Sequence, residues 1–142
     1  VINYCGAVAV LASQKRKILL VKQFRYAINK FTLEIPAGNL VGPGRKNIIL
    51  SAQNELLEES GYIAGSIEPF YSYYPSPGNS NEVIHLTRAS DIEKSIDVSD
   101  FDVAWYDLDK VLKMIEDEEI VHSPTVIGVL LGREMGFFES EE

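Results

Sequence analysis

Cysteine is almost absent from this chain, with Cys5 alone among 142 residues. That excludes a disulfide framework and a thiolate metal cluster. No His or basic residue lies near Cys5 in sequence, so its expected role is that of a small buried hydrophobe rather than a reactive thiol. Basic charge is also scarce. With 13 Lys and Arg against 21 Asp and Glu, the formal net charge is -8, a poor match for a nucleic-acid backbone as main partner. An acidic chain can still take a phosphate compound when a divalent cation mediates. No apolar run is long enough to cross a bilayer, and no charged-then-apolar leader opens the chain, so the expectation is a cytoplasmic protein with no membrane partner. The two histidines, His85 and His122, lie too far apart in sequence to be a metal pair by spacing.

What is present is ordinary globular material. A 46% hydrophobic and 24% charged composition suits a chain that folds around its own core, and the expectation is one domain over residues 1–142. Residues 6–12 and 17–24 are apolar runs joined by polar Ser13 to Arg16, as in a hairpin. Residues 31–35 alternate Phe, Leu and Ile with Thr and Glu until Pro36, and a Gly- and Pro-rich loop is expected over residues 37–46. Further strands are read at 67–74, 82–89 and 101–106, and helices at 108–117 and 124–135. Strands interleaved with helices imply an α/β sandwich with a site between sheet and helix.

The informative stretch is Asn54-Glu-Leu-Leu-Glu-Glu-Ser-Gly-Tyr62. At about 100° per residue, Glu55, Glu58 and Glu59 share one helical arc, with Ile49, Leu50, Leu56 and Leu57 covering most of the opposite side. Gly61 supplies a left-handed stop, and Asn47 is the expected N-cap. Glu58 and Glu59 then fall in the last turn, where the helix dipole disfavours anions by roughly 0.3 to 1 kcal/mol each. Two readings of this face stay open on the residues alone: a solvated acidic surface, or hard oxygen ligands for a divalent cation.

Glu34-Ile-Pro-Ala-Gly38, the Gly-rich loop after it and Asn54 to Tyr62 together resemble the Nudix hydrolase box, G-x5-E-x7-R-E-U-x-E-E-x-G-U with U apolar. Glu55, Leu56, Glu58, Glu59 and Gly61 match at the required spacing. Three departures stand out. From Gly38 to Asn54 there are two residues more than the box has, the box's first Glu has no counterpart, and Asn54 replaces its Arg. In the family that Arg is held to brace a catalytic Glu, which uncharged Asn54 does more weakly. Residues 6–11, Gln23 to Tyr26, Glu34 to Gly38 and Tyr74 to Gly78 followed by Glu82 resemble the ADP-ribose pyrophosphatase branch.

The resemblance implies a Nudix α/β/α sandwich with a mixed sheet between helices. It also implies Mg2+-dependent (or Mn2+-dependent) cleavage of the pyrophosphate of ADP-ribose, giving AMP and ribose 5-phosphate, by a homodimer. Alternatives are another nucleotide sugar or dinucleotide as substrate, or a nucleotide-binding sensor that does not cut. Implied metal ligands are Glu55, Glu58, Glu59 and the Ala37 carbonyl. Implied substrate contacts are Arg25, with Glu34 as its partner, and Pro77, Gly78 and Glu82. A surface Arg25–Glu34 pair and a plain turn at Pro77-Gly78 are the structural alternatives. For the general base, relatives use a Glu on a late loop, where this chain offers only Asp97 and Asp100; either can equally be a turn former. His85 is read as a sheet residue, and His122 as a cap or solvent-facing residue.

Overall fold

Five apolar residues in a row, Val8 to Ala12, are all at most 1% exposed, and they form the middle of the first strand. The computed structural model describes residues 6–97 and 102–139, leaving Cys5, Asp100 and Phe101 outside the described residues. Strand β1 (Ala7–Gln14) turns through a hairpin into β2 (Lys17–Arg25), which pairs antiparallel with β3 (Lys30–Glu34) on one side and β7 (Asp102–Asp107) on the other. On its other flank β1 runs parallel to β6 (Ile84–Lys94), which pairs antiparallel with the edge strand β5 (Tyr62–Tyr73). The sheet is therefore mixed.

The side-chain alternation of β1 explains the layers. Ala9 and Leu11 join Ile18, Leu20, Ile35 and Leu86 under helices α2 (Leu108–Glu116) and α3 (Ser123–Glu134). Val10 and Ala12 join Leu19, Ile67 and Ala89 under helix α1 (Arg45–Ser60), through Ala52 and Leu56. A strand that sends side chains alternately into two cores, as β1 does from Ala9 to Ala12, reads as a continuous apolar run, and the α/β/α sandwich follows.

Three local expectations need correction. The loop expected over residues 37–46 begins as a short strand, β4 (Ala37–Asn39), antiparallel to the start of β1, because Pro36 breaks β3 without ending sheet pairing. Helix α1 starts before Asn47: Gly44, at φ 94°, is the N-cap, and the Asn47 amide donates to the Pro43 carbonyl at 2.8 Å instead of capping. Leu50 is 45% exposed, since the buried face of α1 runs through Ser51, Ala52, Leu56 and Ser60. At the other end Gly61 is left-handed as read, its N–H closing on the Leu57 carbonyl. No helix among the described residues is long and apolar enough to cross a membrane.

Candidate active site

Alternation along β3 puts Thr32 and Glu34 on the side that faces Gln23 and Arg25 of β2. Glu34 is 1% exposed, a costly place for a carboxylate without donors. It has them. Arg25 grips it side-on, Nε to Oε2 at 2.8 Å and Nη2 to Oε1, while the Thr32 hydroxyl donates to Oε2. His122, just ahead of α3, brings Nε2 to 3.4 Å from Oε1. Burial opposes ionisation of Glu34, but the hydrogen bonds from Arg25 and Thr32 outweigh it and hold the carboxyl below the usual range. So Arg25 and Glu34 do pair, with the carboxylate sealed inside the protein rather than on its surface.

A few residues on, the chain meets the acidic helix. The Ala37 N–H donates to Glu59 Oε1 at 2.8 Å, so β4 orients this carboxylate through main chain. Gly38 beside it leaves room for the Glu55 carboxylate, which a Cβ there would displace. Burial pushes Glu59 up to about 7, with Glu55 and Glu34 adding to the rise against the Ala37 hydrogen bond. Burial, then Glu58, also raises Glu55. Glu58 is exposed and Asn54, at the position of the box Arg, lies in solvent. Carboxylates packed together without enough donors are what a hard divalent cation completes, so the donor set fits such an ion. Among the described residues no three such side chains already converge on one point, which suits an ion that keeps water and substrate oxygens in its shell.

A cleft of about 290 Å3 has Gln23, Arg25, Ala37, Gly38, Glu59, Glu82 and His122 among its walls. Glu82 is thereby placed with the acidic helix. Pro77 and Gly78 are not: they are exposed in a turn closed by Ser76, whose hydroxyl donates to Asn79 at 2.6 Å. Asp97 pairs with Lys94 at 3.0 Å, its side chain 93% exposed, and is no part of the cleft. Asp100 lies outside the described residues. A larger groove, about 730 Å3 between Leu40, Pro43, Ile48, Pro69 and Val83, contains none of the candidate acids.

Sequence reasoning missed His122, Thr32 and Thr125. His122 neither caps α3 through its side chain nor faces solvent; burial holds its imidazole below the ordinary range, with Glu34 opposing. His85, by contrast, is the sheet residue expected, hydrogen-bonded to Ser72. The one signal in the sequence was Thr125, a buried-prone hydroxyl three residues after His122 at a Pro-marked helix start, and nothing there points to a partner 90 residues away.

An α/β/α sandwich that sets a carboxylate-bearing helix against a cleft lined by a guanidinium suits the hydrolysis of a pyrophosphate. The sequence profile of the NUDIX domain matches residues 4–126, and the chain belongs to the Nudix family as one of its pyrophosphohydrolases. It is 32% identical over 136 residues to the ADP-ribose pyrophosphatase of Bacillus subtilis (strain 168), across 91% of this chain and 72% of the relative. Identity to the methanol dehydrogenase activator of Bacillus methanolicus is 36% over 136 residues, with the same two shares, 91% and 72%. A crystal structure of an ADP compounds hydrolase shares the fold, with a TM-score of 0.82 at 18% identity over 96% of this chain and 75% of that one.

Proposed function

We propose that this chain hydrolyses the pyrophosphate bond of ADP-ribose, with Mg2+ (Mn2+ as substitute) held by Glu55, Glu58, Glu59 and the Ala37 carbonyl. The observation that carries the reading is the meeting of Arg25, Glu59 and Glu82 in one cleft, with Glu55 packed on its Gly38 wall. The name of the Bacillus subtilis relative supports ADP-ribose as first choice.

Each residue has a role that follows from its surroundings. Arg25 spends Nε and Nη2 on Glu34, so its Nη1 edge is the part that takes a phosphate oxygen. The Ala37 N–H orients Glu59 through main chain, a bracing that does not depend on the exposed Asn54 at the position of the box Arg. A bound Mg2+ supplies charge neutralisation of the pyrophosphate and acidifies the attacking water. That water's oxygen bonds to one phosphorus, the bridging P–O bond breaks, and the proton passes to Glu82, the further carboxylate in the cleft. We assign no such role to Asp97, which is tied to Lys94 in solvent, and Asp100 lies outside the described residues.

A cytoplasmic homodimer completes the proposal. A lone cysteine suits a reducing compartment, and Tyr26, Ile28 and Phe31, exposed at 88%, 51% and 60% beside Phe24, offer apolar area at the β2–β3 hairpin. Light scattering tests the dimer against a 15.9 kDa monomer. The activity is tested by incubating the protein with ADP-ribose and Mg2+ and assaying AMP by chromatography. Saturable, EDTA-sensitive release of AMP is expected; saturable binding with no AMP at any metal concentration would replace the enzyme with a sensor.

A further inference from the structure

We infer that His122 is a positioning residue: with its hydrogen on Nε2, it closes a ring of polar contacts that holds Glu34 and so aims Arg25 at the substrate. The ring has two arms. In one, Ile35 N–H donates to Thr125 Oγ1 at 2.9 Å, and Thr125 Oγ1 lies 2.8 Å from His122 Nδ1. In the other, His122 Nε2 faces Glu34 Oε1 at 3.4 Å, an electrostatic contact longer than an ordinary N–H···O hydrogen bond. Glu34 and Ile35 are consecutive, so the first turn of α3 clamps the strand by a side chain and by main chain at once.

Proton assignment follows from the partners. Glu34 is ionised and accepts only, so the hydrogen on that arm sits on Nε2. Burial, reinforced by the Arg25 charge and only partly opposed by Glu34, keeps the ring from taking a second proton near neutrality. Nδ1 is then bare and accepts the Thr125 hydroxyl hydrogen, while the Thr125 lone pairs take the Ile35 N–H.

The consequence reaches the substrate through Glu34. Its Oε1 is shared by Arg25 Nη2, His122 Nε2 and, at 3.5 Å, the Gln23 amide. A carboxylate gripped from both sides cannot swing, and the side-on Arg25 grip then leaves the same guanidinium edge toward the cleft that His122 also lines. His122 touches neither the acidic helix nor Ala37 in any contact described above, so it acts on binding more than on the chemical step.

This rests on the proposed hydrolysis for its kinetic arm only. In metal-free protein at pH 7, 15N-detected imidazole spectra should show His122 neutral, with hydrogen on Nε2 and a bare Nδ1; an Nδ1–H tautomer or an imidazolium overturns the inference whatever the enzyme does. Kinetically, His122→Ala should raise KM for ADP-ribose about tenfold with kcat changed less than threefold, and His122→Gln, whose amide nitrogen can occupy the Nε2 position, should recover most of it. Unchanged KM in His122→Ala, or equal losses in the two variants, overturns it too. Failure of the wild type to release AMP would instead sink the hydrolase reading and leave the spectroscopic arm standing.

Discussion

Glu59 lines the cleft and Glu34 lies buried behind Arg25, and the protein treats the two acids in opposite ways. Glu34 receives the Arg25 guanidinium, a Thr32 hydroxyl and the His122 imidazole, and stays ionised below the usual carboxylate range. Glu59 receives one main-chain N–H, has Glu55 and Glu34 for neighbours, and rises to about 7. One acid is finished by the fold and the other is left unfinished. The difference separates structure from chemistry: a carboxylate with all its donors holds the scaffold, whereas one short of positive charge is available to a cation.

Replacing the unfinished acid should produce the largest effect. Glu59→Gln is expected to lower kcat about 1000-fold, roughly 4 kcal/mol of transition-state stabilisation, while circular dichroism shows the fold intact. Unchanged turnover would remove Glu59 from the metal site. Replacing the finished acid should act on stability and on substrate binding through Arg25 rather than on kcat. Glu34→Gln leaves Arg25 without its counter-charge and should cost about 2 to 3 kcal/mol, roughly 5 to 10 °C in Tm, in a thermal melt.

The pH dependence should divide the same way. An acid whose folded pKa is raised binds its proton more tightly when folded, so the contribution of Glu59 is present below about 4.5 and is lost as pH rises toward 7. Glu34 runs in reverse, stabilising above the ordinary carboxylate pKa and losing that as pH falls through its lowered value. Melts in EDTA from pH 5 to 8 should therefore show a falling neutral limb that Glu59→Gln flattens and millimolar Mg2+ reverses. A limb unaltered by Glu59→Gln would assign the titration elsewhere. Smaller still, Asn54→Arg should raise kcat a few-fold by adding charge beside the acids, and a drop would mean that this site has no room for the box Arg. Asp97→Asn should leave kcat within twofold; a larger loss would bring the solvent-exposed acid back as base.

Much of this was legible in the residues. A continuous apolar run gave away β1, alternation gave away β3 and helical spacing the α1 carboxylates, because burial on one side or both leaves a one-dimensional trace. Gly61 was readable as a helix stop, since few residues other than glycine adopt that conformation cheaply. The N-terminal end of α1 was not, because Gly44 offers no side chain to recognise and Asn47 was the better cap by type. Pairing with β1 makes β4 a strand, a property that Ala37-Gly-Asn39 does not carry locally. Glu34 and Arg25 were read as partners, but whether the pair sat in solvent depended on Thr32, His122 and α3. Those residues meet only in three dimensions.

The hydrogen bond from Ile35 to Thr125 has a bearing on time as well as on shape. It spans 90 residues, and Thr87 to Ala9 in the parallel pair spans 78, so the cleft depends on contacts between distant parts of the chain. Such contacts form late, after loop closure has been met. The acidic helix and its glycine stop are local and can form early, but Glu34 has no clamp until α3 docks. During folding, the capacity to bind a cation should therefore appear before the capacity to orient a phosphate, and turnover should report the last event of assembly rather than the first.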